Sequence, residues 1–365
     1  MTIHSVAPNA QTLSVHWTDG ETTEYPYLFL RDNDPAGFHP QTHERLFDLL
    51  DAPEDLTAAS AHLDGDAVAI AWGPGGESRI PTDWLFSHRP GQRLTDPADV
   101  PTELWDGGYA ARMVTASAEA LLSDDVALLT WLMETKRTGL SIVTGIADDE
   151  DAALAIGARI GFLRETNFGR TFRVETMPDP NNLAYTSEAL PLHTDLPNQE
   201  LPPGFQFLHC VRNGAEGGGS VFMDAFHVAE EVRKADAEAF DLLSSIPVPY
   251  RFTDRDTDIR IHRPVINLDE RERVHDVRYN AHLLAALDMP ADTMVAYYRA
   301  FRRFMAETRK AEHTVTLKLQ AGEMAVFDNR RILHGRTAFD PQSGHRLLRG
   351  FYIDRGEWDS RIRTL

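Results

Sequence analysis

Short runs of alternating apolar and polar residues open the chain. In LSVHWTDGETTEYPYLFL two such runs flank Thr18-Asp19-Gly20, the pattern of a hairpin with a tight turn. AVAIAW (67–72) is a further strand, closed by the turn-forming GPGG at 73–76. Pro90, Gly91, Pro97 and Pro101 then punctuate a connecting stretch. The pattern predicts a small β-rich N-terminal domain over residues 1–95 and a second domain over 105–365.

The period changes in the second piece. Ser123-Asp124-Asp125 supplies an N-cap and an acidic first turn for VALLTWLMETKR, a helix that Gly139 stops. GLSIVTG follows as a buried strand, and DDEDAALAIGARIGFL as a second amphipathic helix. From Asn182 onward strands dominate: NLAYT, FQFLHCVR, SVFMDAF, VPYRF, RPVINL, HTVTLKLQ, EMAVFD and RLLRGFYID, with one long helical insertion over roughly 292–310. Many short strands with turn signals predict a mainly β fold with helices (α+β), its strands in a double-layered jelly roll.

Composition narrows the partners. The formal net charge is -20 at pH 7, which argues against nucleic acid and anionic membranes, both of which need compensating Lys and Arg. One cysteine, Cys210, cannot form an internal disulfide. MTIHSVAPNA has no basic and apolar leader pattern, and no apolar run is of membrane-spanning length, so the cytoplasm is the expected compartment.

Candidate chemistry begins at PLHTDLPNQELPPGFQFLHC (191–210). With 15 His and 56 acidic residues, about two His-x-Asp/Glu matches arise by chance. The chain holds two: His193-Thr194-Asp195, and His62-Leu63-Asp64 beside the turn DGDA, which reads as a solvated loop. His193 and Asp195 share parity, so in an extended segment both point the same way. EMAVFDNRRILHGRTAF then supplies His334, far enough along to return on a late strand of the barrel. Two His and one carboxylate with open positions form the facial triad suited to non-haem Fe(II). Arg346, twelve residues after His334 in HRLLRGFYID, offers a guanidinium fork for the distal carboxylate of a 2-oxoglutarate co-substrate. Arg349 competes for that part, but strand parity puts it on the opposite face from Arg346 and Tyr352.

NNLAYTSEALPLHTDLPNQELPPGFQFLHC, GGGSVFMDAF, GEMAVFDNRRILHGRTAF and RLLRGFYID together resemble the taurine-dioxygenase-like superfamily of Fe(II)/2-oxoglutarate oxygenases, nearest within it to the γ-butyrobetaine and trimethyllysine dioxygenases. VHWTDGETTEYPYLFLRDN resembles that family's small N-terminal domain, so the likeness covers nearly the whole chain. The resemblance implies a double-stranded β-helix, iron ligands His193, Asp195 and His334, and O2 as the second co-substrate. It also implies 2-oxoglutarate contacts from Arg346 and, more weakly, Ser220. It implies an aromatic cage for a trimethylammonium group from Phe168, Phe172, Tyr185 and Tyr352, with Asn182 and Asn280 at the substrate's anionic end.

Two departures matter. Where the family carries a structural zinc on three cysteines and a histidine, this chain has RDNDPAGFH, with Asp34, Ala36 and His39 in those places, so that zinc is not expected. Two cage positions that are Tyr or Trp in γ-butyrobetaine dioxygenases are Phe here. Arg251, Arg255, Arg260, His262 and Arg263 cluster in an acidic chain; solvated pairing with neighbouring Asp residues is the simpler reading, but one or two turned inward would suit a phosphonate. Three readings stand: hydroxylation of a small quaternary-ammonium substrate (γ-butyrobetaine or 2-(trimethylammonio)ethylphosphonate), the same chemistry on another small acid, or a non-catalytic quaternary-amine binder. A homodimer through the sheet-rich N-terminal domain is the expected assembly.

Overall fold

The computed structural model describes residues 2–176 and 186–365, and the chain divides into two compact units, 1–96 and 97–365. Tyr185, Asn182 and the NLAYT strand expectation lie outside the described residues.

The first unit holds two three-stranded antiparallel sheets: Ile3–Pro8 (β1), Thr12–Trp17 (β2) and Thr22–Pro26 (β3), then Ala58–Asp64 (β4), Ala67–Trp72 (β5) and Glu77–Pro81 (β6). Short helices Tyr27–Asp32 (α1) and Thr82–Ser87 (α2) follow β3 and β6. Leu13, Val15 and Tyr25 from one sheet and Val68, Ile70 and Trp72 from the other share an apolar core. The Asp34 carboxylate, at the first position of the RDNDPAGFH departure, accepts from the Ala36 N–H at 3.0 Å and from the Ser78 hydroxyl. His62 and Asp64 lie on β4 rather than in a loop, but they are exposed, and Asp64 pairs with Arg79.

In the second unit the strands are Val114–Ser117 (β7), Leu140–Thr144 (β8), Thr171–Val174 (β9), Leu190–His193 (β10), Phe205–Asn213 (β11), Glu216–Gly217 (β12) and Ser220–Asp224 (β13). Val248–Thr253 (β14), Asp258–Arg263 (β15), Ile266–Leu268 (β16), Val274–Val277 (β17), Thr314–Leu317 (β18), Met324–Asp328 (β19), Ile332–Arg336 (β20), Phe339–Asp340 (β21) and Arg346–Ile353 (β22) complete them. Among the described residues, two larger sheets are formed. One has the order β7-β8-β19-β11-β22-β9, the other β10-β20-β13-β18. Only the β7–β8 pair within them is parallel.

Strand parity sorts the side chains into layers. Phe205 and Phe207 of β11 pack with Phe351, Ile353, Trp131 and Trp358 on the outer, helix-covered face of the six-stranded sheet. The intervening Leu208 and Cys210 join Leu348, Phe327 and Phe222 between the sheets. That outer layer draws on Ala118–Ser123 (α3), Asp125–Thr138 (α4) and Leu154–Ile160 (α5). Asp124 caps α4 by accepting from the Val126 and Ala127 N–H groups, and Gly139, at φ 79°, ends it as expected. The second amphipathic helix is shorter than its expected span, because Asp149 to Ala153 form turns before α5 begins.

Three further helices were not read from the sequence. Ala225–Ala235 (α6) starts where the SVFMDAF strand was expected to continue, because the Asp224 carboxylate accepts from the Phe226 N–H and turns the chain into a helix. Ala237–Ser245 (α7) follows, and Arg355–Thr364 (α9) closes the chain. The expected long insertion is Ala291–Glu307 (α8). Val228, Phe240, Tyr297 and Phe304 of α6, α7 and α8 bury Met223 and Leu333 of the four-stranded sheet.

Candidate active site

The register brings the HTD stretch to His334. His193 ends β10 directly opposite His334 on β20, and the two rings lie 4.3 Å apart. The chain then leaves the strand, and Asp195 turns back. Its Oδ1 is 3.3 Å from His193 Nε2 and 3.7 Å from His334 Nε2. One donor atom from each of the three falls within 4.8 Å of the others, the one such acidic or imidazole group of three among the described residues. His193 Nδ1 lies 2.9 Å from the Pro191 carbonyl, which fixes Nδ1 as its protonated nitrogen and leaves Nε2 as the donor facing the group.

The backbone at Asp195 is tightly bound. Its N–H donates to Asn329 Oδ1 at 2.7 Å, and Asn329 Nδ2 donates back to the Asp195 carbonyl at 3.0 Å and to Pro203 at 3.2 Å. Thr194 N–H donates to the Tyr279 carbonyl at 2.7 Å, while the Tyr279 N–H donates to the Thr194 hydroxyl at 3.0 Å. Leu196 sits at φ 53°, a conformation uncommon for a leucine, and these bonds hold the turn. Burial alone would raise the Asp195 pKa. His334, His193 and the Tyr352 hydroxyl outweigh it, so the carboxyl lies below its usual range. Burial, with His193 beside it, pushes His334 down to about 3. An ionised carboxylate and neutral imidazoles are the ligating forms, so this donor set fits a divalent iron with positions left open.

A cavity of about 270 Å³ opens over the triad. Arg346 and Ser220 line it, as does Arg336, which donates to the Thr186 and Glu188 carbonyls at 2.8 Å each. Burial and the nearby Arg336 bring the Arg346 guanidinium down to about 10, and its Nε has no hydrogen-bond partner among the described residues. A buried cation in that state is stabilised by any anion that enters. The GGGS motif has a steric cause here: Gly218 is at φ 66°, and a Cβ on it would stand 3.0 Å from Arg346 Nε. Arg349 projects the other way and pairs with Asp151 at 3.2 Å, as parity predicts.

Aromatic rings line another part of the wall. Phe172 packs on Tyr352 at 5.1 Å, and a Cβ on the facing Gly350 would come within 2.3 Å of the Phe172 ring. Phe168 meets Phe252 at 5.5 Å, edge to face. Tyr352 also donates its hydroxyl to Asp195 Oδ2 at 2.7 Å. Asn280 lines the cavity, yet its amide is largely engaged: Oδ1 accepts from the His282 N–H at 3.0 Å and Nδ2 donates to the Thr194 carbonyl at 3.3 Å. Phe252, Gln206, His282, Arg336 and the Asn329 clamp were not found from the sequence. Of these, Gln206 had a signal, a lone amide in the apolar run FQFL.

The cationic cluster does not turn inward. Arg251 forms two hydrogen bonds to Asp258 at 2.8 and 3.0 Å, Arg260 reaches the same carboxylate at 2.6 Å, and His262 meets Asp288 at 2.7 Å. Arg255 and Arg263 are exposed, and none of the five lines the cavity. The cations occupy the solvent-facing side of the β14–β15 hairpin, while Tyr250 and Phe252 of β14 turn inward.

Residues 106–352 match the model of the taurine catabolism dioxygenase TauD, TfdA family. The chain belongs to that family. It is an Fe(II)- and 2-oxoglutarate-dependent dioxygenase. It is 40% identical to the gamma-butyrobetaine dioxygenase of Pseudomonas sp. (strain AK-1), with 99% of this chain and 95% of that protein aligned. The human gamma-butyrobetaine dioxygenase is 31% identical over 98% of this chain and 95% of its own length. The mouse mitochondrial trimethyllysine dioxygenase is 27% identical over 95% and 84%. Among solved structures, the non-haem iron oxygenase OrfP in complex with Fe and alpha-ketoglutaric acid has a similar fold, with a TM-score of 0.50 and 14% identity over 65% of this chain and 83% of that one.

Proposed function

We propose that this dioxygenase hydroxylates a small trimethylammonium substrate of the γ-butyrobetaine type, coupled to decarboxylation of 2-oxoglutarate to succinate and CO2. The observation that carries the reading is one cavity lined at once by the His193/Asp195/His334 triad, the buried Arg346 and the Phe168, Phe172 and Tyr352 rings. The 40% identity to a gamma-butyrobetaine dioxygenase across 99% of the chain supports the same substrate class.

Iron held by His193, Asp195 and His334 supplies, with 2-oxoglutarate and O2, an oxidant for an unactivated C–H bond. The remaining work belongs to side chains. Arg346 fixes the distal carboxylate of 2-oxoglutarate by a charge-assisted fork, with Ser220 beside it. Phe168, Phe172, Tyr352 and the unforeseen Phe252 present ring faces to the trimethylammonium group, each contact contributing about 0.5–2 kcal/mol. The family resemblance assigns Tyr185 to the same cage and Asn182, with the remaining Asn280 N–H, to the anionic end. The two larger sheets suit a double-stranded β-helix over 105–365, with 1–95 as the small β-rich domain. A cytoplasmic homodimer without a structural zinc is the form in which we expect the enzyme to work.

The outward-facing cations of the Arg251–Arg263 hairpin favour a carboxylate over a phosphonate, since none of them reaches the cavity. Succinate formation by anaerobically Fe(II)-loaded protein, given 2-oxoglutarate and then O2, tests the reading, with His193→Ala as the blank. Turnover with γ-butyrobetaine well above that with 2-(trimethylammonio)ethylphosphonate is expected. Equal or greater turnover of the phosphonate would overturn the carboxylate assignment, and no substrate-stimulated succinate from either would overturn the trimethylammonium one.

A further inference from the structure

Two residues of β11, Gln206 and Leu208, line the cavity, and Gln206 is the polar one. Its register neighbours are Phe327 on β19 and Tyr352 on β22. Both neighbours touch a ligand residue: the Phe327 ring lies 4.8 Å from that of His334, and the Tyr352 hydroxyl donates to Asp195. Gln206 therefore stands on the sheet between the supports of two of the three donors. It lines the cavity, is 1% exposed, and its Oε1 has no hydrogen-bond partner among the described residues. The flanking Phe205 and Phe207 face the opposite, helix-covered layer, so parity commits this side chain to the site. An apolar residue would fill the position without the cost of an unmet buried polar group, which makes the amide informative.

We propose that Gln206 is a positioning residue for the exchangeable oxygen ligands of the metal, hydrogen-bonding the co-substrate carboxylate seated there. A carboxamide offers two N–H donors to a carboxylate and one acceptor to a metal-bound water, so the same side chain serves the site before and after 2-oxoglutarate enters. Asp195 is held by Asn329 and Tyr352 and His193 by Pro191, whereas Gln206 is the one polar side chain that β11 brings to the cavity. The inference rests on the Fe(II) and 2-oxoglutarate assignment.

The test uses full-length protein under argon, loaded with Fe(II) and titrated with 2-oxoglutarate, following the visible charge-transfer absorption of the bound pair. Gln206→Met keeps length and removes every hydrogen bond; Gln206→Glu keeps shape and removes the N–H donors. Gln206→Met is expected to weaken 2-oxoglutarate binding about ten-fold, the effect of one hydrogen bond to a charged group, and Gln206→Glu, whose carboxylate also repels the dianion, by more; both should shift the absorption maximum. In Gln206→Met, Fe(II) affinity without 2-oxoglutarate and the melting temperature should stay at the wild-type values. In air, succinate formed per hydroxylated product should rise. An unchanged maximum and affinity in Gln206→Met would overturn the proposal, as would losses of Fe(II) affinity and melting temperature in step with it, the mark of a packing role. If wild-type protein shows no such absorption, the metal and co-substrate assignment fails first, and the inference with it.

Discussion

Asn329 does for Asp195 what a neighbouring strand would do. It accepts from the Asp195 N–H and donates to the Asp195 carbonyl, at a point where the chain has left β10 and a positive φ follows at Leu196. Asn329→Ala leaves both backbone groups unmet in a buried turn, which should cost about 1–3 kcal/mol in urea unfolding. The same change should weaken Fe(II) binding about ten-fold in an anaerobic titration, since the carboxylate is no longer held toward the imidazoles. Unaltered Fe(II) affinity would mean that the side-chain contacts of Asp195 suffice without the clamp. Tyr352 separates two contributions in one residue, because its ring faces the cavity while its hydroxyl reaches Asp195 Oδ2. Tyr352→Phe should lower Fe(II) affinity a few-fold, about 1 kcal/mol for one hydrogen bond, and leave the substrate KM nearly unchanged. Tyr352→Leu should raise the KM for γ-butyrobetaine about five-fold as a cation–π face is lost. Equal KM values for the two variants would remove Tyr352 from the cage.

At the scale of elements, what could be read in the sequence is what a local period encodes. The hairpin at Thr18-Asp19-Gly20, helix α4 with its Asp124 cap and Gly139 stop, and the opposed faces of Arg346 and Arg349 all follow from spacing alone. Helix α6 was missed because SVFMDAF continues an apolar run across a change of geometry, and only the carboxylate of Asp224 marks it. Phe252 and Gln206 were missed because their roles depend on which strands become neighbours, a non-local fact. Asp224 carries more than a cap. Fully buried, it accepts from the Phe226 N–H and meets Arg331 Nη2 at 2.7 Å and Nε at 3.1 Å. Asp124 caps α4 and forms no ion pair with another side chain among the described residues. Urea unfolding should therefore rank the two caps: Asp124→Ala costing about 1 kcal/mol, and Asp224→Ala about 3–5 kcal/mol through an uncompensated buried Arg331. Similar losses for both would show that the Asp224–Arg331 pair adds little beyond the cap.

For the molecule as a whole, the net charge of -20 sets the field through which ligands arrive. 2-Oxoglutarate is a dianion, while γ-butyrobetaine is a zwitterion with no net charge, so the surface opposes one and is nearly indifferent to the other. The cations of the cavity wall, Arg346 and Arg336, are buried and act over a short range. The clustered cations of the β14–β15 hairpin are matched by Asp258 and Asp288 at the surface and extend little attraction. Salt between about 0.01 and 0.15 M shortens the reach of surface charge from about 30 to 8 Å. Over that range kcat/KM for 2-oxoglutarate should rise, because repulsion by the acidic surface is screened before the buried arginines are. Under the same conditions kcat/KM for γ-butyrobetaine should stay level. Steady-state rates with each ligand varied at saturating levels of the other decide it. A fall with salt for 2-oxoglutarate would show that the buried arginines of the cavity, and not the acidic surface, govern its approach.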